Sequence, residues 1–89
     1  MNYAARWELL VDRAVQKHLH SIPKKDAERI QAAIAELAAN PYSGDIARMR
    51  GEEDVWRRRV GAYRIFYEVL REERTVHVFR MERRTSTTY

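Results

Sequence analysis

Two spacings of apolar residues divide the chain into a helical first part and a strand-forming second part. Residues 6–11 alternate as a strand does, and apolar residues then recur every three or four positions through two segments, which predicts two helices. Asp12 is placed to cap the first helix and Pro23 to close it, while the second runs from about 24 to 39 and is stopped by Asn40-Pro41. The short link between them predicts an antiparallel helical hairpin.

Beyond Asp45 the spacing of apolar residues shortens to two, which is typical of strands. Four strands are predicted, separated by an acidic turn, by Gly61 and by a polar turn, at residues 46–49, 55–60, 63–71 and 75–81. The order β-α-α-β-β-β-β predicts an α+β fold, in which the helical hairpin packs on one face of an antiparallel twisted sheet. The 89 residues contain no repeat or linker, so we expect a single domain over residues 1–89.

Composition removes several kinds of chemistry. The chain has no cysteine, which excludes disulfides, thiol catalysis and thiolate metal sites, and its three histidines lack a metal-binding spacing. We therefore expect neither a metal nor a cofactor. No apolar run approaches the roughly 18 residues of a membrane span, and the N-terminus lacks the apolar core of a signal peptide. These features predict a cytoplasmic protein without a membrane partner.

Positive charge is concentrated in the strand-forming part of the chain. The formal net charge is +4, and eleven arginines lie between positions 48 and 84. Because side chains alternate across a strand, Arg57, Arg59 and Arg64 are predicted to converge on one sheet face, opposite the core. Guanidinium groups gathered on a rigid surface suit phosphate, so the pattern predicts binding of a polyanion.

Other residues of the strands have structural interpretations. Arg58 and Arg80 fall on the core-facing parity, where we expect their stems to lie along the core edge and their charged ends to reach water. Trp56 shares that parity and is predicted to be a core residue. The acidic turn at residues 51–54 is interpreted as a solvated turn that balances neighbouring arginines.

Several segments together carry a resemblance to a known family. They are Asn40-Pro41, Met49-Arg50-Gly51, the central block Trp56-Arg57-Arg58-Arg59-Val60-Gly61-Ala62-Tyr63-Arg64-Ile65-Phe66-Tyr67, and a basic residue followed by the closing Tyr89. Through them the chain resembles the RelE/ParE toxin superfamily, and specifically its RelE branch of messenger-RNA-cleaving toxins, over nearly its whole length. The resemblance implies the RelE-like microbial ribonuclease fold.

The activity that this resemblance implies is metal-independent cleavage of messenger RNA in the ribosome. The 2′-hydroxyl attacks the adjacent phosphate and leaves a 2′,3′-cyclic phosphate and a free 5′-hydroxyl. By similarity to the family's motif, the catalytic residues are Arg57, Arg59, Arg64, Arg83 and Tyr89, with Arg84 as an alternative to Arg83. Further RNA contacts are expected from Arg48, Arg50, Arg84 and Phe66.

The chemistry of phosphoryl transfer suggests a role for each residue of this set, because cations stabilise the charge that develops on the phosphate oxygens. Arg64 and Arg83 are expected to hold the scissile phosphate, while Arg57 and Arg59 position the backbone. Tyr89 is expected to stack on a base or to take part in proton transfer.

Proton transfer is the step in which the chain departs from its relatives. Arginine has a pKa above about 12 and is a poor acid or base at neutral pH, so the set is expected to act mainly by charge and orientation. His77 is an alternative acid or base. Glu68 is expected to orient an arginine through a salt bridge.

Two other functions remain open on the sequence alone. A ParE-like protein would inhibit DNA gyrase without nuclease activity, and an inactive module would only bind its antitoxin. Each implies a cognate protein antitoxin as partner. An active nuclease would also bind the ribosome and messenger RNA. Operator DNA is expected to be bound only through the antitoxin.

Overall fold

The order of helices and strands predicted from the sequence is confirmed by a computed structural model, which describes residues 6–84. The elements are β1 (Glu8–Val11), α1 (Arg13–His20), α2 (Lys24–Ala39), β2 (Ile46–Arg48), β3 (Val55–Val60), β4 (Tyr63–Leu70) and β5 (Thr75–Arg83). The α+β class is thereby confirmed, and β5 continues two residues further than its alternating pattern indicated. Neither helix of the described range is long and apolar enough to cross a membrane.

The strands form a mixed sheet in the order β1-β5-β4-β3-β2. The pairs between β2, β3, β4 and β5 are antiparallel, as predicted, whereas β1 runs parallel to β5. The predicted antiparallel sheet is therefore corrected at this edge. β1 is connected to the later strands through the two helices, so no tight hairpin sets its direction.

Both helices pack against the same face of the sheet and enclose the core there. Their buried residues in this core are Val15, Leu19, Ile30, Ala33, Ile34 and Leu37. The sheet contributes Tyr63, Ile65, Tyr67, Val69, Val76, Val78 and Met81. Trp56 packs against this cluster, which confirms its predicted place. We refer to the opposite side of the sheet, which the helices leave uncovered, as the open face.

The hairpin between β3 and β4 sets the register of the arginines. Gly61 has a φ of 58° at the first position of a two-residue loop, a left-handed conformation that glycine adopts without steric cost. The tight loop pairs Val60 with Tyr63, and this register places Arg59 directly opposite Arg64.

A β-bulge in β5 changes which of its side chains face the core. The pairing with β4 skips Phe79, so that Phe66 lies opposite Arg80. Beyond the bulge Met81 is buried, with 6% of its surface exposed, and Arg80 lies on the open face. The predicted core-facing parity of Arg80 is therefore wrong, because a one-residue shift reverses the face of every following side chain.

Candidate nucleic-acid interface

Side chains of the open face form rows across the sheet, because directly paired residues on neighbouring strands point to the same side. The row nearest the β3–β4 hairpin consists of Arg59, Arg64 and Glu82. The second row consists of Ala47, Arg57, Phe66 and Arg80. The third row consists of Val55, Glu68 and His77. Positive charge is concentrated in the first two rows, and successive rows are about 7 Å apart along the strands.

The structure brings together three of the predicted catalytic residues. Arg57, Arg59 and Arg64 line one shallow cavity of about 110 Å³. The other lining residues belong to the start of β2 and the residue before it, namely Asp45, Ile46 and Ala47. A hydrogen bond of 2.9 Å from the Arg59 amide to the Asp45 carbonyl oxygen attaches this segment to β3.

The arginines of this cavity are poorly neutralised by the protein itself. Within residues 6–84, neither Arg57 nor Arg59 forms an ion pair, and Arg64 meets only Glu82, at 3.5 Å. Arg59 also lies directly across the ladder from Arg64, an arrangement in which like charges destabilise a sheet. The cluster therefore does not serve the stability of the fold, and it leaves guanidinium groups available to an external anion.

The C-terminal arginines are arranged differently from the expectation. Arg83 lies opposite Tyr63 on the helix side of the sheet, with its guanidinium 6.0 Å from the centre of the Tyr63 ring. Its predicted place beside the other arginines is wrong, because the bulge at Phe79 reverses the alternation. The Arg84 amide donates to the Ala62 carbonyl oxygen at 2.6 Å, so the extended pairing continues. Alternation then directs Arg84, the alternative residue, toward the open face.

The remaining predicted RNA contacts are distributed over several parts of the molecule. Arg48 lies on the edge strand β2 with the helix-side parity, and Arg50 lies in the turn that follows; neither lines the arginine cavity. Phe66 is on the open face but only 7% exposed, since the Arg80 guanidinium covers its ring at 5.3 Å. Tyr89 lies outside the described residues.

Arg58 has a structural role that differs from the predicted one. Its stem lies toward the core as expected, but its charged end does not reach water: the side chain is 11% exposed and bonds Glu36 of α2 at 2.6 Å. Gly44, with a φ of 83°, approaches so closely that a Cβ there would lie 2.5 Å from the Arg58 guanidinium carbon. Arg58 therefore joins the sheet to α2 and to the loop before β2.

A second polar group on the open face contains His77 rather than an arginine. Its two ring nitrogens lie 2.7 Å from carboxylate oxygens of Glu68 and of Asp12. Burial alone would lower the pKa of His77, but the hydrogen bonds and charges of the two carboxylates outweigh burial and raise it. Asp12 occupies the N-cap position of α1 without capping it by its side chain. Glu68 is thus engaged with His77, and its predicted pairing with an arginine is wrong.

The carboxylate that does orient arginines is Glu82, which sequence reasoning missed. It lies opposite Arg64 and also bonds Arg80 at 2.8 Å. The signal that would have identified it is the register of β5 with the bulge included. That register depends on pairing with β4 and is not visible in the local pattern.

The acidic turn before β3 has a structural explanation. Asp54 accepts hydrogen bonds from Tyr42, Trp56 and Arg71, at 3.4, 3.3 and 2.7 Å. Burial tends to raise the pKa of Asp54, but the bonds from Trp56, Arg71 and Tyr42 together lower it. This turn does balance an arginine, as predicted, and it lies away from the arginine cavity.

Comparison with known proteins assigns the chain to a toxin family. The model of the family described as "ParE toxin of type II toxin-antitoxin system, parDE" matches residues 5–86. A candidate toxin RelE1 from Methanocaldococcus jannaschii is 28% identical over 82 residues, which cover 89% of this chain and 91% of that protein.

Solved structures show the same fold. The RelE–RelB complex from Pyrococcus horikoshii OT3 matches with a TM-score of 0.80 at 23% identity, over 92% of this chain and 99% of the other. The isolated E. coli RelE toxin matches with a TM-score of 0.79 at 19% identity, over 91% of this chain and 87% of the other. The RelB–RelE complex from Methanococcus jannaschii matches with a TM-score of 0.68 at 28% identity, over 83% of this chain and 88% of the other.

Proposed function

The chain belongs to the ParE toxin family of type II toxin–antitoxin systems, within the RelE/ParE superfamily, and we propose that it is a RelE-like endoribonuclease that cleaves messenger RNA on the ribosome. One observation carries this proposal: Arg57, Arg59 and Arg64 line a single cavity, and two of them have no ion-pair partner in the described residues. Such a cavity suits a phosphodiester, whose negative charge the arginines complement.

The arginine geometry supports a transesterification within the RNA. The 2′-hydroxyl loses its proton and its oxygen bonds to the adjacent phosphorus, while the bond from phosphorus to the 5′-oxygen breaks. The 5′-oxygen takes up a proton from water, and the products are a 2′,3′-cyclic phosphate and a 5′-hydroxyl. Arg64, held by Glu82, stabilises the charge that develops on the non-bridging oxygens. Arg57 and Arg59 position the phosphate from β3. Arg84 takes the place of Arg83 as the C-terminal arginine of the set. Tyr89 is proposed to stack on a base or to take part in proton transfer.

Asp45 is the proposed acceptor of the 2′-hydroxyl proton. Of the described residues that line the arginine cavity, it alone has a carboxylate, and the Arg59 amide fixes its backbone. Asp45→Asn is expected to slow cleavage, because the amide cannot accept the proton, without weakening the affinity for RNA, because a negative charge is removed from the phosphate-binding cavity. Cleavage at the wild-type rate across the pH range would remove Asp45 from the mechanism.

The proposal is tested by primer-extension mapping of a message with and without ribosomes. The wild-type protein is expected to produce new 5′ ends on ribosome-bound message, and the Arg57→Ala, Arg59→Ala double variant is expected to produce almost none. Lys17→Ala, on the exposed side of α1, serves as a control that loses charge away from the cavity. Equal cleavage by the double variant would contradict the proposal.

Inhibition of DNA gyrase is the second candidate, since the matching family model is that of ParE. The exposed arginine cavity disfavours it, because a protein that acts by binding gyrase has no use for a phosphate-binding cluster of this kind. Supercoiling and cleavage assays with purified gyrase separate the two activities. Gyrase poisoning without messenger cleavage would establish this alternative.

A cognate protein antitoxin is the proposed regulator. Relatives of this chain have been solved as RelE complexes with RelB antitoxins. Co-expression with the neighbouring open reading frame is expected to yield a tight complex and to relieve growth arrest, and operator DNA is expected to bind only that complex. Complex formation without any arrest by the free protein would instead indicate an inactive binding module. With the ribosome as the site of action, the cytoplasm is the proposed location.

A further inference from the structure

The bulge in β5 places an additional arginine on the open face. Arg80 occupies the second row, beyond Phe66 as seen from Arg57. Neighbouring strands are about 4.8 Å apart, so the two arginines of this row lie about 10 Å from each other across the sheet. Arg80 is therefore beside the arginine cavity rather than within it.

The guanidinium of Arg80 lies over an aromatic ring. Its guanidinium carbon lies 5.3 Å from the centre of the Phe66 ring, within the range of a cation–π contact. Glu82 accepts a hydrogen bond from it at 2.8 Å and also contacts Arg64. Phe66 is 7% exposed, while the Arg80 side chain that lies over it is 62% exposed. The guanidinium is thus positioned by an aromatic ring and a carboxylate and remains accessible from solvent.

We propose that Arg80, placed over Phe66 and bonded to Glu82, forms a nucleobase-stacking subsite next to the phosphate-binding arginines. Unpaired bases in RNA stack on aromatic rings and on guanidinium planes, which tolerate any base because each has a π-face. A strand whose phosphate occupies the arginine cavity would place a neighbouring base over Arg80. The inference rests on the proposed function, whose substrate it describes as single-stranded RNA held by a base as well as by its backbone.

The subsite is tested by binding, independently of cleavage. The probes are a short fluorescent single-stranded RNA with 2′-deoxy substitutions that block cleavage and a strand of the same length that has no bases. Arg80→Lys keeps the charge but loses the plane. It is expected to bind the RNA about tenfold more weakly than the wild type and the base-free strand equally well. Lys17→Ala, the charge control, is expected to weaken the binding of both strands slightly and equally.

Each result distinguishes the subsite from simple charge attraction. Equal affinity of wild type and Arg80→Lys for the RNA, or equal losses on both strands, would overturn the subsite. Because Arg80 is exposed, the variants are expected to unfold at the wild-type temperature, and circular dichroism checks this. If the subsite is found but ribosome-bound message is not cut, the proposed function fails while RNA stacking stands.

Discussion

Arg57, Arg58 and Arg59 are consecutive in β3, yet the two faces of the sheet give them opposite environments. Arg58 turns toward the helices, is 11% exposed and pairs with Glu36. Arg57 and Arg59 turn to the open face, where no carboxylate of the described residues pairs with them. The same residue type therefore serves structure on one face and is left available for an anion on the other.

The difference shows where the fold tolerates unfavourable electrostatics. On the helix side the charge of Arg58 is matched, although its buried Nε has no hydrogen-bond partner in the structure. On the open face Arg59 and Arg64 are placed directly opposite each other. Such destabilising contacts concentrate at functional sites, where an external group completes them.

The largest expected effect separates the faces by activity. Arg64→Ala is expected to lower the rate of single-turnover cleavage of ribosome-bound message about 10²- to 10³-fold, because one preorganised donor to the developing charge is lost. Arg58→Met, on the other face, is expected to cut at the wild-type rate. Similar rates for Arg64→Ala and the wild type would end the distinction between the two faces.

A smaller effect separates the faces by stability. Arg58→Ala is expected to reduce the free energy of unfolding by about 2 kcal/mol, since the packed stem and its contact with Glu36 are lost. Arg58→Met keeps most of the stem and is expected to cost less than about 1 kcal/mol. Urea denaturation measures both. A large loss for Met as well would show that the charge, and not the packing, is what matters.

The hydrogen bonds of His77 on the open face predict how the stability of the protein depends on pH. The pKa of His77 is raised in the folded protein, so its charged form is stabilised there. This contribution is complete below the unfolded pKa of about 6.5 and is lost as pH rises through the higher folded value. The urea midpoint of the wild type is expected to fall over that range. His77→Gln should show a flatter dependence, and an unchanged slope would contradict the assignment.

The smallest expected effect is a gain in stability. Arg59→Gln removes one of two opposed positive charges and is expected to raise the free energy of unfolding by a few tenths of a kcal/mol. Cleavage should fall at the same time, as in a trade-off between stability and activity. Lysine at the same position keeps the charge and should leave stability close to that of the wild type. A loss of stability with Gln would show that Arg59 supports the fold.

The local pattern of apolar and polar residues was sufficient to predict the helices and strands and the placement of three residues of the site. Strict alternation on β3 and the short loop at Gly61 determine that Arg57, Arg59 and Arg64 share a face. These features depend on neighbours in sequence, and each was visible without knowledge of the tertiary structure.

Contacts between distant segments were not accessible in this way. Glu36 meets Arg58 across 22 positions, and Asp12 meets His77 across 65. The direction of β1 also depends on how the helices return the chain to the sheet. Composition gave no indication of these pairs, since any of several carboxylates could have satisfied each cation.

The extra residue at Phe79 has a consequence for comparing this toxin with others. One inserted residue reverses which side of the sheet every following side chain faces. The position of a C-terminal arginine in space therefore depends on its strand register and not on the sequence motif around it. Homologous toxins that differ by this single residue would present their arginines from different columns of an alignment. Equivalent chemistry should therefore be sought by position on the sheet, and an apparently missing catalytic residue can be present one or several columns away.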